Sequence, residues 1–176
     1  MKPFIIGIGG SYSGAGKTTI ACKILQRLKG WGAIKYTKTA IYCSIIDDRE
    51  VLSEEGKDTK ILLDSGAEKV IWVQSPFSEL EEILHMALDR LSHLKGIVVE
   101  GNSATKVLNP DIVIFVSGSA GIMKEGAEEI LKIADVVVFD EELPLAMPED
   151  AERFSKNDME ECINCVVRLF YLLYVQ

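Results

Sequence analysis

The sequence predicts a three-layer, doubly wound α/β fold with a mainly parallel sheet. Short apolar runs alternate with longer helical patterns, and the runs are apolar at nearly every position. Strands of that kind suit a parallel sheet that helices cover on both faces. The alternation itself indicates βαβ connections throughout. The six runs that we predict as strands are residues 4–8, 33–36, 69–73, 96–99, 112–116 and 136–139.

Capping signals mark the starts of two helices. Ser78 is followed three residues later by Glu81, and Asn157 in the same way by Glu160. This is the spacing of a capping box, in which the two side chains satisfy free N–H groups at a helix start. The second signal predicts a C-terminal helix at about 158–175, whose apolar residues suit deep packing or a dimer interface.

The length of the chain predicts a single domain. A chain of 176 residues that is 48% hydrophobic can bury one sizeable core. We therefore expect one domain over residues 1–176. Residues 37–57 lack clean periodicity and are rich in acidic side chains, so we expect a long polar excursion there. Loops of that length in compact domains are often functional or disordered.

Charge and hydropathy bear on partners and location. The formal net charge of −8 repels phosphate backbones, so we expect no nucleic-acid partner. The first apolar run is too short for a signal peptide or a membrane span, which favours a cytoplasmic protein without a membrane partner. The four cysteines are expected as reduced, mostly buried thiols.

A glycine-rich segment links the first predicted strand to a helical pattern. Residues 9–19 are Gly-Gly-Ser-Tyr-Ser-Gly-Ala-Gly-Lys-Thr-Thr, and the order strand, loop, helix is that of a phosphate-binding P-loop. In such a loop Lys17 reaches the β- and γ-phosphates and the Thr18 hydroxyl ligates Mg²⁺. The residues that we predict to bind a nucleoside triphosphate are Ser13, Gly14, Ala15, Gly16, Lys17, Thr18 and Thr19.

One position departs from the P-loop pattern. GxxxxGK[ST] requires a glycine at position 11, where this chain has Ser11, with Gly10 one place early. The second half of the pattern, which carries the lysine and the threonine, is intact. We therefore keep the P-loop assignment.

Two acidic residues are candidates for the metal site and for catalysis with Lys17. Glu100 ends a predicted buried strand and precedes Gly101, the place where a P-loop protein carries a carboxylate near its metal. The alternative is that Glu100 only begins a surface loop. Asp58 opens a helical pattern, so it is equally a metal or water-positioning residue or an N-cap.

Other polar residues carry weaker signals. Lys35 and Lys38 flank the end of the second predicted strand, where they would meet an anionic substrate or lie solvated. Cys162 and Cys165 form a CxxC without a second Cys/His pair, which favours a core or interface role over zinc. No NKxD segment follows any strand, so the base preference stays open.

The order of these motifs resembles the MobB family of P-loop accessory proteins in molybdenum cofactor biosynthesis. The resemblance covers roughly residues 4–116. It rests on the loop at 13–19, on Ile-Lys-Tyr-Thr at 34–37, and on Gly-Lys-Asp-Thr at 56–59 with Val-Val-Glu-Gly at 98–101. Tyr36 stands where a histidine is usual, and the segment between 37 and 56 is longer than in typical members.

The resemblance implies a SIMIBI-class P-loop NTPase fold and a homodimer. It also implies binding of GTP with Mg²⁺, slow GTP hydrolysis, and help in attaching GMP to molybdopterin, with molybdopterin or a cofactor-biosynthesis enzyme as partner. By the same resemblance Asp58 and Glu100 become metal-site acids, beside Thr18.

Two other functions fit the same motifs. One is an ATP-dependent small-molecule kinase or ligase similar to dethiobiotin synthetase, which also pairs a P-loop with a strand that ends in Glu-Gly. The other is a nucleotide-dependent switch or scaffold, with the 37–57 segment as its ligand-sensitive element.

Overall fold

A computed structural model describes residues 2–118 and 122–174 and contains one eight-stranded sheet. The strands occur in the order β3-β4-β2-β5-β1-β6-β7-β8, and every neighbouring pair is parallel except β3 with β4. The predicted α/β fold with a mainly parallel sheet is therefore confirmed. The strands are β1 Phe4–Gly10, β2 Trp31–Lys38, β3 Ser44–Ile46, β4 Val70–Ser75, β5 Gly96–Glu100, β6 Ile112–Val116, β7 Val136–Phe139 and β8 Glu152–Ser155.

Helices cover both faces of the sheet. α1, α3 and α7 pack on one face, and α4, α5 and α6 pack on the other. The strand side chains alternate between the two faces, so that Ile6 and Ile8 point to the first and Ile5 to the second. The seven helices of the described residues are α1 Lys17–Arg27, α2 Arg49–Leu52, α3 Asp58–Asp64, α4 Leu80–Asp89, α5 Asn102–Leu108, α6 Ala127–Leu131 and α7 Met159–Tyr174.

The two capping-box predictions are wrong in detail. A 3₁₀ turn, Phe77–Glu79, precedes α4, so Ser78 lies inside that turn and the helix has no side-chain cap. A second 3₁₀ turn, Lys156–Asp158, precedes α7, and its cap is Ser155, whose hydroxyl accepts from the Asn157 N–H at 3.2 Å. Short 3₁₀ turns are common at helix starts, and each displaces the α-helix beyond the residue that the spacing marks.

Two edge strands were not predicted. β3 lies within the 37–57 excursion, where it pairs antiparallel with β4, and the short helix α2 follows it. β8 pairs with β7 at the other edge of the sheet. Both strands are short and carry no fully buried residue, so they lack the apolar runs that identified the central strands.

The C-terminal helix α7 is buried along one side. Phe170 packs edge-on against Phe4 at 5.0 Å and Trp31 at 5.1 Å between ring centroids. In the last turn Leu172 and Leu173 are exposed. None of the helices in the described ranges is both long and apolar enough to cross a lipid bilayer.

Candidate nucleotide and metal site

The glycine-rich loop joins β1 to α1 at the carboxyl edge of the sheet. Gly14 and Gly16 have φ values of 87° and 108°, a left-handed conformation that glycine adopts without a steric penalty. Gly10 is needed for a different reason: a Cβ there would lie 2.9 Å from the carbonyl oxygen of Val116 on β6. The loop is thus held close against the neighbouring strand.

Ser11 stands where the P-loop pattern has its first glycine, and its surroundings explain why serine fits there. Among the described residues, the one non-glycine with positive φ is Asn109, so position 11 does not demand glycine. The Ser11 hydroxyl accepts from the Gly118 N–H at 2.6 Å, and its backbone N–H donates to the Val116 carbonyl at 3.0 Å. Ser11 therefore fastens the loop to the segment after β6.

Lys17 is the first residue of α1 and is buried beneath the loop. Its ammonium donates to the backbone carbonyl oxygen of Tyr12 at 2.9 Å. Burial, and then the positive charge of Lys124, lower the pKa of Lys17. A negatively charged ligand at the loop would give the Lys17 ammonium an anionic partner and so favour its charged form.

Four polar side chains converge beside the loop. The Thr18 hydroxyl donates to Glu100 Oε2 at 3.0 Å. The Lys35 ammonium lies 2.6 Å from Glu100 Oε1 and 2.6 Å from Asp58 Oδ2. Glu100 is only 3% exposed. Its two oxygens therefore link the P-loop helix to β2 and, through Lys35, to the start of α3.

Backbone pairing brings Lys35 and Glu100 together. The two residues are direct partners in the parallel register of β2 with β5. Asp58 is the first residue of α3, and the N-cap position belongs to Lys57, so the N-cap alternative for Asp58 is wrong. Burial acts to lower the pKa of Lys35, but the charge of Glu100 and the hydrogen bonds to both acids outweigh it and raise the pKa.

These residues line one open cleft of about 700 Å³. Ser13, Gly14, Gly16, Lys17, Thr18 and Thr19 from the loop face it, together with Lys35, Lys38, Asp58, Glu100 and Lys124. Ala15, by contrast, is buried in the core beneath the loop. The cleft thus gathers every predicted site residue except Ala15.

Two further clefts have volumes similar to this one. One, of about 560 Å³, shares Tyr36, Lys38, Gly101 and Lys124 with the first cleft and has the exposed Phe77 in its wall. The other, of about 730 Å³, lies between the segment after β6 and the segment after β7, with Gly118, Glu141 and Glu142 among its lining residues. Gly118 is in close contact with Tyr12 of the loop, since a Cβ there would lie 2.0 Å from the Tyr12 ring.

Two residues of the site were not predicted. The Asn102 side chain accepts from the Gly10 N–H at 2.9 Å and donates to the Gly10 carbonyl at 3.0 Å, which anchors the end of β1. Its position directly after Glu100-Gly101 was the available signal. Lys124 faces the cleft from the segment before α6, and nothing in its sequence surroundings marks it.

The oxygen atoms present suit magnesium. Mg²⁺ is usually held by one or two carboxylates together with phosphate oxygens and water, not by a closed protein cage. Asp58, Glu100 and the Thr18 hydroxyl supply such a set: the two carboxylates flank the Lys35 ammonium, and Thr18 is hydrogen-bonded to Glu100. Across residues 2–118 and 122–174 there is no group of three or more His, Cys, Asp or Glu side chains able to hold a metal.

The CxxC pair is not among the residues that line this cleft. Cys162 and Cys165 are both buried free thiols on α7. Burial raises the pKa of Cys162 to about 12. Thiols that stay protonated are poor nucleophiles and poor metal ligands, and packing accounts for their position.

Comparison with known proteins shows the fold class. No protein-family model matches the chain, and no curated protein matches it. The solved structure of HypB from Helicobacter pylori in complex with nickel is similar, with a TM-score of 0.56 and 14% identity over 95% of this chain and 86% of that one. The solved LAO/AO transport system kinase is similar with a TM-score of 0.54 and 17% identity over 99% of this chain.

The chain spans 61% of the length of that kinase. At such identities the likeness shows the fold alone, which is the mainly parallel α/β fold of P-loop NTPases. It does not show the MobB family.

Proposed function

We propose that the protein is a Mg²⁺-dependent GTP-binding accessory protein with weak GTPase activity that assists molybdenum cofactor biosynthesis. The observation that carries the proposal is the convergence of Lys17, Thr18, Asp58 and Glu100 on one cleft beside a glycine loop. Charged donors and acceptors of these types are those that bind and activate a triphosphate. The molybdenum cofactor role comes from the sequence resemblance.

The geometry supports a distinct role for each of these residues. Lys17 leaves the Tyr12 carbonyl and binds the β- and γ-phosphates, while the loop N–H groups surround them. Thr18, Glu100 and Asp58 would hold Mg²⁺, with Glu100 acting on it directly or through water. When bound, the metal neutralises charge that develops on the phosphate oxygens. Slow hydrolysis is the rate that the sequence resemblance implies.

The cleft between the segments after β6 and β7 supports guanine as the base. Gly118, which contacts Tyr12 of the loop, is among its lining residues, and Glu141 and Glu142 line it together with Lys132. A carboxylate accepts hydrogen bonds from the N1–H and amino group of guanine, whereas adenine has no N1–H. The homodimer that the resemblance implies stays a prediction. The exposed apolar side chains of Leu172 and Leu173 are candidates for its interface.

A reconstituted assay tests the cofactor role. Formation of molybdopterin guanine dinucleotide from molybdopterin and Mg·GTP is followed with the transferring enzyme alone, with the wild-type protein added, and with Lys17→Ala added. The proposal predicts acceleration by the wild type and none by the variant. Equal rates in all three reactions would contradict the cofactor role.

The adjoining cleft of about 560 Å³ favours a second candidate function, an ATP-dependent small-molecule kinase or ligase. It shares Gly101 and Lys124 with the triphosphate cleft, so an acceptor bound there would approach the γ-phosphate. ADP release that depends on an added metabolite would support this candidate over the first.

A further inference from the structure

Lys35 occupies the place where the site would hold its metal. Its ammonium bridges Asp58 and Glu100 at 2.6 Å each, and the second oxygen of Glu100 accepts from Thr18 at 3.0 Å. Two of the three groups expected to bind Mg²⁺, Asp58 and Glu100, therefore already flank one positive charge, and Thr18 joins them through its hydrogen bond to Glu100. That positive charge is the ammonium of Lys35.

The burial of the Glu100 carboxylate requires a positive charge beside it. Glu100 is 3% exposed and Lys35 is 18% exposed, whereas Asp58 is 46% exposed. An ionised carboxylate as buried as Glu100 is costly without a counter-charge. The β2–β5 register fixes Lys35 as the neighbour of Glu100, so the counter-charge is built into the sheet.

A metal ion and the ammonium compete for the same oxygens. Two positive charges a few ångströms apart in a partly buried site repel each other strongly. Lys35 has a flexible stem, and it faces the same cleft as Lys17 and the loop. A bound triphosphate would give the displaced ammonium a new anionic partner.

We propose that Lys35 is a positioning residue of the magnesium site: it holds Asp58 and Glu100 together in the nucleotide-free protein, excludes free Mg²⁺, and moves to the phosphates when Mg²⁺ enters with the nucleotide. This inference rests on the proposed function, because it requires a nucleotide with Mg²⁺ in this cleft. It adds an order to binding, in which the metal arrives with the nucleotide and not before it.

Mn²⁺ binding to the nucleotide-free protein tests the exclusion of free metal. Mn²⁺ stands in for Mg²⁺ and its free concentration is measured by electron paramagnetic resonance. Lys35→Met removes the competing charge, and we expect its Mn²⁺ affinity to exceed that of the wild type by at least ~10-fold. Lys38→Met is the matched control, since Lys38 faces the same cleft but forms no ion pair within residues 2–118 and 122–174.

Thermal melting separates this role from a merely structural one. Lys35→Met leaves Glu100 without its counter-ion, so its melting temperature is expected to fall, and added Mg²⁺ is expected to restore part of the loss. The wild type, Lys38→Met and the charge-preserving Lys35→Arg are expected to show no such response to Mg²⁺ without nucleotide. A loss in Lys35→Met that Mg²⁺ does not restore would overturn the proposal.

The wild type alone keeps the inference testable if Lys35→Met does not fold. It is expected to bind Mn²⁺ tightly only when a non-hydrolysable GTP or ATP analogue is present. Tight Mn²⁺ binding at this site without nucleotide would overturn the inference. Failure of the wild type to bind any Mg²⁺–nucleotide would instead overturn the proposed function, so the two failures are distinguishable.

Discussion

At the scale of single residues, the site depends on side chains whose partners lie far along the chain. Lys17 and Thr18 were identifiable because the P-loop is a local pattern of glycines, lysine and threonine. The bridge from Lys35 to Glu100 was not, because those residues are 65 positions apart and meet through the register of two strands. The sequence predicted that Lys35 meets an anionic substrate or lies solvated, and in the structure its partners are the protein's own acids.

Thr18→Val tests the metal role of the hydroxyl at nearly constant side-chain volume. The change removes the donor to Glu100 and the proposed Mg²⁺ ligand, so Mg²⁺ should no longer strengthen nucleotide binding, a loss of about 10-fold or more if one ligand is worth ~1.4 kcal/mol. Nucleotide affinity is measured with Mg²⁺ and with EDTA.

Thr37→Val is the control for that experiment. Thr37 faces the same cleft, and its hydroxyl accepts from the Trp72 indole N–H at 3.0 Å without touching Glu100. It should keep the full Mg²⁺ effect. A Thr18→Val protein with an unchanged Mg²⁺ effect would exclude this hydroxyl from the metal site.

At the scale of elements, the central strands were predictable and the edges were not. The six predicted runs correspond to strands whose residues are nearly all buried, as in β1 and β6. β3 and β8 are three and four residues long and have no fully buried residue, so hydropathy gives no sign of them. The predicted starts of two helices were also wrong. A 3₁₀ turn precedes α4 and another precedes α7, so each α-helix begins after the residue that was predicted to cap it.

The packing of α7 is tested by Phe170→Ala. Phe170 is 5% exposed and its ring lies between Phe4 and Trp31, so truncation leaves a cavity and should lower the free energy of unfolding by about 3–5 kcal/mol. Urea denaturation measures the change. The exposed Leu172, on the same helix, provides the control, because Leu172→Ala should stay within about 0.5 kcal/mol of the wild type. Similar values for both variants would mean that α7 does not pack as described.

At the scale of the whole molecule, strand order creates the site. β1 lies between β5 and β6, and β2 lies on the other side of β5. The loop after β1 therefore opens beside Glu100 and beside the segment after β6, while Lys35 reaches Glu100 from β2. Ligands of doubly wound sheets bind at the carboxyl ends of such strands. The alternation of strands and helices predicted the class of fold, but not the neighbours of each strand.

The net charge of −8 adds a second property of the whole molecule. A strongly negative surface opposes the approach of a triphosphate, and the lysines of the cleft oppose that field locally. Lys17, Lys38 and Lys124 all face the cleft. We therefore attribute anion binding to the local arrangement of lysines and loop N–H groups, with Mg²⁺ supplying further positive charge.

The most direct test of the central claim is calorimetric titration of the wild type and of Lys17→Ala with GTP and with ATP, each with Mg²⁺. The account predicts that the wild type binds GTP in preference to ATP and that Lys17→Ala loses binding of both, because the ammonium that meets the β- and γ-phosphates is gone. A clear preference for ATP would instead support the kinase or ligase function. Binding of neither nucleotide by the wild type, or undiminished binding by Lys17→Ala, would contradict the account.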